Sequence, residues 1–128
     1  MSQYSFPKKY KMTLKTDIEQ VLKVGKRVFS RDLVLRYRLV PKDGEKLKVL
    51  LIVPKRRFKL AVSRNRIKRQ LREIIRQHKP AILEALPAEQ ALHVAIIYTG
   101  PVKMNFDQTN QNILKMLRKV ESINLNNN

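Results

Sequence analysis

The sequence predicts an α+β fold, a small single-domain α/β sandwich of about four strands with helices over the sheet. Three observations carry this. The chain has 128 residues, enough for one domain around one core. Apolar, β-branched runs alternate with stretches of helical period in the order α-β-β-α-β-α. One of those stretches, residues 61–77 (AVSRNRIKRQLREIIRQ), is strongly amphipathic and strongly basic.

Residues 1–12 are polar and basic, with Pro7 and two tyrosines. They read as an N-terminal arm that packs Phe6 or Tyr10. The domain core spans 13–120, and the Asn-rich end of 121–128 marks a frayed tail. A first helix starts at Thr16 or Asp17, turns Ile18, Val21 and Leu22 to one side and ends with Gly25 as its C′ residue. Residues 28–41 read as a strand interrupted at 30–32. Alternation puts Leu33, Leu35, Tyr37 and Leu39 on a core face, and Val34, Arg36, Arg38 and Val40 on the other. Two arginines on one sheet face imply solvent or an anion there. Lys42-Asp43-Gly44-Glu45 is a turn. Residues 47–53 (LKVLLIV) then form the second arm of a hairpin, apolar enough for a central strand. Residues 54–60 (PKRRFKL) are a basic connector. Residues 92–98 make another strand, closed by Gly100-Pro101. A last helix begins at Asn105 or Asp107 and buries Phe106, Ile113, Leu114, Leu117 and Val120.

The basic helix is expected over 61–79. At about 100° per residue, Ser63, Ile67, Leu71, Ile74, Ile75 and His78 share one side. Asn65, Lys68, Arg69, Arg72, Arg76 and Lys79 share the other, with Arg66 at its edge. Ser63 is assigned as N-cap. Pro80 is assigned as the stop, because the residue before proline is driven from helical geometry. A further short helix then ends near Leu86-Pro87. A run of charge often only keeps a surface wet, but such faces mix signs. This one has Glu73 alone among seven bases. Its arginines suit bidentate phosphate contact.

Composition agrees. Lys plus Arg number 28 against 10 Asp plus Glu, a net charge of +18. That imbalance opposes a compact monomer and steers it to polyanions, with salt-sensitive binding. A membrane surface is a poor rival. The chain has no Trp, no apolar run near the ~20 residues of a bilayer span, and no signal-peptide-like N-terminus. Without cysteine there is neither a disulfide nor a thiolate metal site. A cytoplasmic location is expected.

Arg64-Asn65-Arg66 followed by Ile67-Lys68-Arg69 and Leu71-Arg72-Glu73 resembles the RNR signature of the bacterial ribonuclease P protein component. Phe6-Pro7-Lys8-Lys9-Tyr10, Lys23-Val24-Gly25-Lys26-Arg27, Leu33-Val34-Leu35 and Val53-Pro54-Lys55-Arg56 follow in that family's order, so the resemblance covers about 6–119. It implies a sheet similar to the second domain of ribosomal protein S5, with the basic helix in a left-handed βαβ crossover. It also implies a protein subunit of an endoribonuclease whose catalytic RNA removes the 5′ leader of precursor tRNA, with Mg²⁺ held mainly by RNA. Arg64, Asn65, Arg66, Lys68, Arg69 and Arg72 would then contact the catalytic RNA, beside the basic connector residues Lys55, Arg56 and Arg57. Ile18, Leu22, Val34, Arg36 and Phe106 would line a cleft for the leader. Many relatives carry aromatic residues where this chain has Ile18, Leu22 and Arg36, so charge and shape are expected to outweigh base stacking. The connector is one residue longer than in many relatives.

No catalytic residue and no protein-bound metal are expected. His78 ends a helix, His93 sits in a strand, and neither has a partner at a telling spacing. Asp17, Asp32, Asp43 and Asp107 fall in caps and turns rather than in a two-metal cluster. Three other readings remain: a ribosomal or RNA-chaperone protein, an autonomous nuclease, and a basic-region DNA binder. The last needs leucine heptads continuing from the basic helix, which Pro80 is expected to interrupt, so no DNA partner is expected.

Overall fold

A computed structural model describes residues 8–126, with side chains described over 9–120. A 3₁₀ turn η1 (Lys8–Tyr10) precedes α1 (Lys15–Val24), β1 (Lys26–Phe29), β2 (Leu33–Pro41), β3 (Leu47–Ile52), α2 (Ala61–Ala85), β4 (Gln90–Tyr98) and α3 (Phe106–Asn126). The four strands lie in the order β1-β2-β4-β3. β1–β2 and β2–β4 are antiparallel, and β3–β4 is parallel.

Residues 30–32 do interrupt the long strand, and they make the hairpin. The Ser30 N–H donates to the Leu33 carbonyl at 3.0 Å, turning β1 back on β2. The expected hairpin across residues 42–45 does not form. Those residues turn, with Gly44 at φ +102°, where side chains are strained. However, β4 inserts between β2 and β3. The central strand is therefore β4, almost wholly buried, and β3 is an edge. A run such as LKVLLI signals burial on both faces, which an edge strand between two helical layers also has.

The β3–α2–β4 crossover is left-handed. Leu92 and Val94 face the core cluster that includes Ile67, Leu71 and Ile74 of α2. Their main-chain polar groups point to β3, where the Leu92 N–H donates to the Lys46 carbonyl at 2.7 Å. For L-residues viewed from α2 with the strands upward, this puts β3 to the right of β4. The chain therefore crosses to its left, against the usual rule.

Two apolar layers flank the sheet. On one face α2 and α3 bury Ile67, Leu71, Ile74, Ile75, Ile113 and Met116 against Leu33, Leu35, Tyr37, Val94 and Ile96. On the other, α1 closes a smaller cluster of Met12, Val21 and Ala95, with Ile18, Leu22 and Leu50 packed against it. Gly25 is needed where α1 meets β1. Its φ of −65° is ordinary, but a Cβ there would run into the Val21 carbonyl. Close approach, not the left-handed C′ geometry expected, explains the residue. The arm joins the body earlier than residue 13. Tyr10 and Met12 are buried, and the Met12 N–H donates to the Val49 carbonyl on the free edge of β3. Lys79 Nζ sits 4.4 Å from the Tyr10 ring centroid, a cation–π contact tying η1 to α2. Phe6 lies outside the described residues.

Helix boundaries moved where tertiary contacts outweighed local signals. Pro80 stands inside α2, which runs six residues beyond the expected end at Lys79 to Ala85. One main-chain bond is forfeited, but Ile82, Leu83 and Leu86 seat against the main core. The Lys46 ammonium satisfies the Leu83 and Leu86 carbonyls at 3.4 and 3.0 Å. Ser63 is not the N-cap. Leu60 holds that position without a side-chain cap, and Ser63 lies inside the first turn. Asn105 caps α3, accepting from the Gln108 N–H at 3.1 Å. α3 continues to Asn126, through most of the segment expected to fray. Because Pro80 is exposed in a helix interior, Pro80→Ala is expected to stabilise the fold by about 1–3 kcal/mol. A lower melting temperature would show that the proline ring itself is needed there.

Candidate nucleic-acid interface

The buried stripe of α2 determines what its opposite side presents. With Ile67, Leu71, Ile74 and Ile75 turned inward, Asn65, Arg66 and Arg69 stand exposed, and Arg64, Lys68 and Arg72 are half-buried at the flanks. The first turn of α2 holds no acid, so the positive end of the helix dipole adds to the basic face. Among the described residues the ion pair is Arg76–Glu73, whose oxygen and nitrogen approach to 2.6 Å. The Arg76 hydrogen bond, chiefly, holds the Glu73 carboxyl below its ordinary pKa.

Arg64 differs from its neighbours. Its guanidinium donates to the carbonyls of Phe58 at 2.6 Å and Lys59 at 3.0 Å. It thus fastens the connector to the helix. Phe58 is buried with its ring centroid 5.7 Å from that of Tyr98. Tyr98 in turn donates its hydroxyl to the Pro101 carbonyl at 2.7 Å, and burial pushes its pKa up to about 12. Anchored this way, the connector leaves Lys55, Arg56 and Arg57 exposed next to the start of α2.

A groove of about 550 Å³ runs between α2 and the free edge of β3, lined by Lys11, Val49, Leu50, Leu51, Asn65, Lys68 and Arg72. Leu50 faces α1 whereas Val49 faces α2. The groove therefore follows the β3 edge beside the cationic side of α2, where Lys11 of the arm pairs with Val49.

On that face Ile18 and Leu22 of α1 meet Leu50 and Ala95. Val34 and Arg36 of β2 lie on the same face, with Arg36 in register with Ala95. Arg36 is half-buried, and it donates to the Gly25 carbonyl at 3.1 Å while its Nε has no partner. Four of the five expected cleft residues thus lie on one side of the sheet, Val34 one row beyond the residues that α1 covers. Phe106 does not. It packs against the main core cluster of α2 and α3, on the other side of the sheet. The chain leaves β4 after Tyr98, and Asn105 caps the helix on the side of the sheet that α2 covers. Lys11 lines the groove, and Arg27 and Phe29 lie on the Val34 and Arg36 face, positions that the sequence reading did not single out. Recognising the hairpin at residues 30–33 would have paired Phe29 with Val34 and Arg27 with Arg36 on one face.

The acids collect elsewhere. Asp17, Asp43 and Glu45 line a separate cavity of about 410 Å³ with Lys48 and His93. Burial, opposed by Asp17, pushes the His93 pKa down, with Arg38 and Lys48 adding to the shift. His78 holds α2 to α3 through Nε2, 2.7 Å from Asn110 Oδ1. Among the described residues no three or more His, Cys, Asp or Glu are arranged to hold a metal ion. No described helix is long and apolar enough to cross a membrane.

Fold and surface together define a small basic α+β protein of the RNA-binding kind, with a cationic helix on a left-handed crossover. The sequence matches the Ribonuclease P family over residues 6–121. The chain belongs to that family: it is a protein component of ribonuclease P, the endoribonuclease complex of tRNA processing. It is 30% identical over 127 residues to the ribonuclease P protein component of Petrotoga mobilis, covering 95% of this chain and 100% of that one. It is 38% identical over 85 residues to that of Dictyoglomus thermophilum, covering 66% and 68%. The ribonuclease P protein of Staphylococcus aureus superposes with TM-score 0.67 at 25% identity, over 87% of this chain and 94% of that one. The Thermotoga maritima protein shares the fold with TM-score 0.65 at 23% identity, over 85% and 96%.

Proposed function

We propose that this chain grips the catalytic RNA of ribonuclease P through α2 and the connector, and holds the 5′ leader of precursor tRNA on the α1 face of the sheet. The single observation carrying this is the α2 surface, where exposed Arg66 and Arg69 and half-buried Lys68 and Arg72 have no carboxylate partner among the described residues. Such a face is compatible with folding when phosphates neutralise it. The groove between α2 and the β3 edge, lined by Asn65, Lys68 and Arg72, supports RNA contact along this side of the helix. The contribution is orientation of substrate and screening of two polyanions from one another. Bond cleavage belongs to the RNA, with Mg²⁺ held there, and the site of action is the cytoplasm.

The test is cleavage of precursor tRNA at low Mg²⁺ by a bacterial ribonuclease P RNA, with and without this protein. Protein is expected to restore cleavage that the RNA alone has lost, and to cleave nothing by itself. Cleavage by RNA-free protein, or no effect on the RNA, would overturn the reading. A DNA-binding role of the zipper kind does not fit the packing of α2. Pro80 does not interrupt α2; rather, the apolar stripe that a zipper would need is already buried on the sheet.

A further inference from the structure

The α1 face of the sheet has a second row of side chains beyond the one that α1 covers. The covered row runs Arg27, Arg36, Ala95, Leu50 across the four strands in register. One step along the strands the register gives Phe29, Val34, Ile97, Ile52. Paired residues share a face, so these four form an apolar shelf, one residue per strand. At about 4.8 Å between strands the shelf is roughly 14 Å wide. Val34, Ile97 and Ile52 are half-buried, and Phe29 is 63% exposed. Among the described residues Phe29 is the one aromatic ring classed as exposed.

Its neighbours are cationic. The Arg27 guanidinium lies 5.9 Å from the Phe29 ring centroid, and Arg36 stands beside Arg27 across β1 and β2. An exposed ring with arginines at its border suits a chain that offers flat apolar faces and phosphates together. Single-stranded RNA does this, its bases stacking on the ring while its backbone pairs with the cations. A double helix keeps its bases stacked on one another and cannot offer them. The shelf also lies toward the end of β3 from which the basic connector leaves.

We propose that Phe29, backed by Val34, Ile97 and Ile52 and bordered by Arg27, is a stacking platform for one unpaired base of the precursor tRNA leader. The proposal rests on the leader reading above and deepens it. It supplies, from β1, an aromatic contact that Ile18 and Leu22 of α1 cannot.

The test uses holoenzyme reconstituted with wild-type protein or with Phe29→Leu, Phe29→Tyr or Arg36→Ala. Its ligands are precursor tRNA, mature tRNA and precursors carrying one abasic nucleotide stepped along the leader. Phe29→Leu is expected to weaken precursor binding roughly 5- to 50-fold. Mature tRNA affinity should not change, and Phe29→Tyr should retain wild-type affinity. At one leader position the abasic precursor should bind wild-type and Phe29→Leu holoenzymes equally, the coupling expected of direct contact. Thermal melting should be unchanged, since the ring is exposed. Equal precursor affinity for wild type and Phe29→Leu overturns the platform. So does an equal loss for mature tRNA, which would assign the ring to the catalytic RNA. If wild-type holoenzyme fails to prefer precursor over mature tRNA and Arg36→Ala changes nothing, the leader reading itself fails. If wild type discriminates but Phe29→Leu has no effect, only the platform fails.

Discussion

Replacing Arg66 and Arg69 together with alanine is expected to weaken association with the catalytic RNA roughly 10- to 100-fold and to reduce the salt slope of binding by about two. Both side chains are exposed on α2, and neither has a carboxylate partner among the described residues. Removing them therefore takes away phosphate contacts without stranding a buried group. Arg64 is the less informative choice despite its place in the motif. Its guanidinium holds the Phe58 and Lys59 carbonyls, so alanine there would loosen the connector as well. The measurement is affinity for the RNA across a salt series, with thermal melting as a control. An unchanged slope would remove α2 from the RNA interface.

Leu71→Ala should have the largest effect on stability, a loss of about 2–5 kcal/mol. Leu71 is fully buried beneath the RNR face, at the junction of α2 with the sheet. Truncation forfeits apolar burial and leaves a cavity that the four-stranded sheet cannot close by moving one strand, since β4 is bonded on both sides. The expected result is a lower denaturation midpoint with little change in the denaturant slope. RNA affinity at temperatures where the variant is folded should stay near wild type, because the cationic side is untouched. A loss below about 1 kcal/mol would mean that α2 is not seated as described.

These two substitutions act on opposite sides of one helix. The separation of sides was legible in the sequence because it depends only on helical period and residue type. Likewise the core face of β2 followed from alternation: Leu33, Leu35 and Tyr37 are buried as expected, with Leu39 half-buried. The family order of motifs supplied the residues proposed to contact RNA. Ends were less legible. Pro80 and Ser63 are strong local signals, yet α2 passes the first and begins before the second. A few kcal/mol of local preference is overruled when Ile82, Leu83 and Leu86 find apolar partners.

What the sequence by itself determined is the amphipathic basic helix, the alternating strand and the excess of positive charge. All three are set by neighbours within a few positions. Only the tertiary structure decided which strand is central, that Phe106 sits apart from the cleft, that Arg64 holds the connector, and that Phe29 joins Val34, Ile97 and Ile52 in one row. The physical reason is strand order. β4 is inserted between two strands that are consecutive in the chain, and no local periodicity encodes which distant segment claims a strand's free main-chain groups.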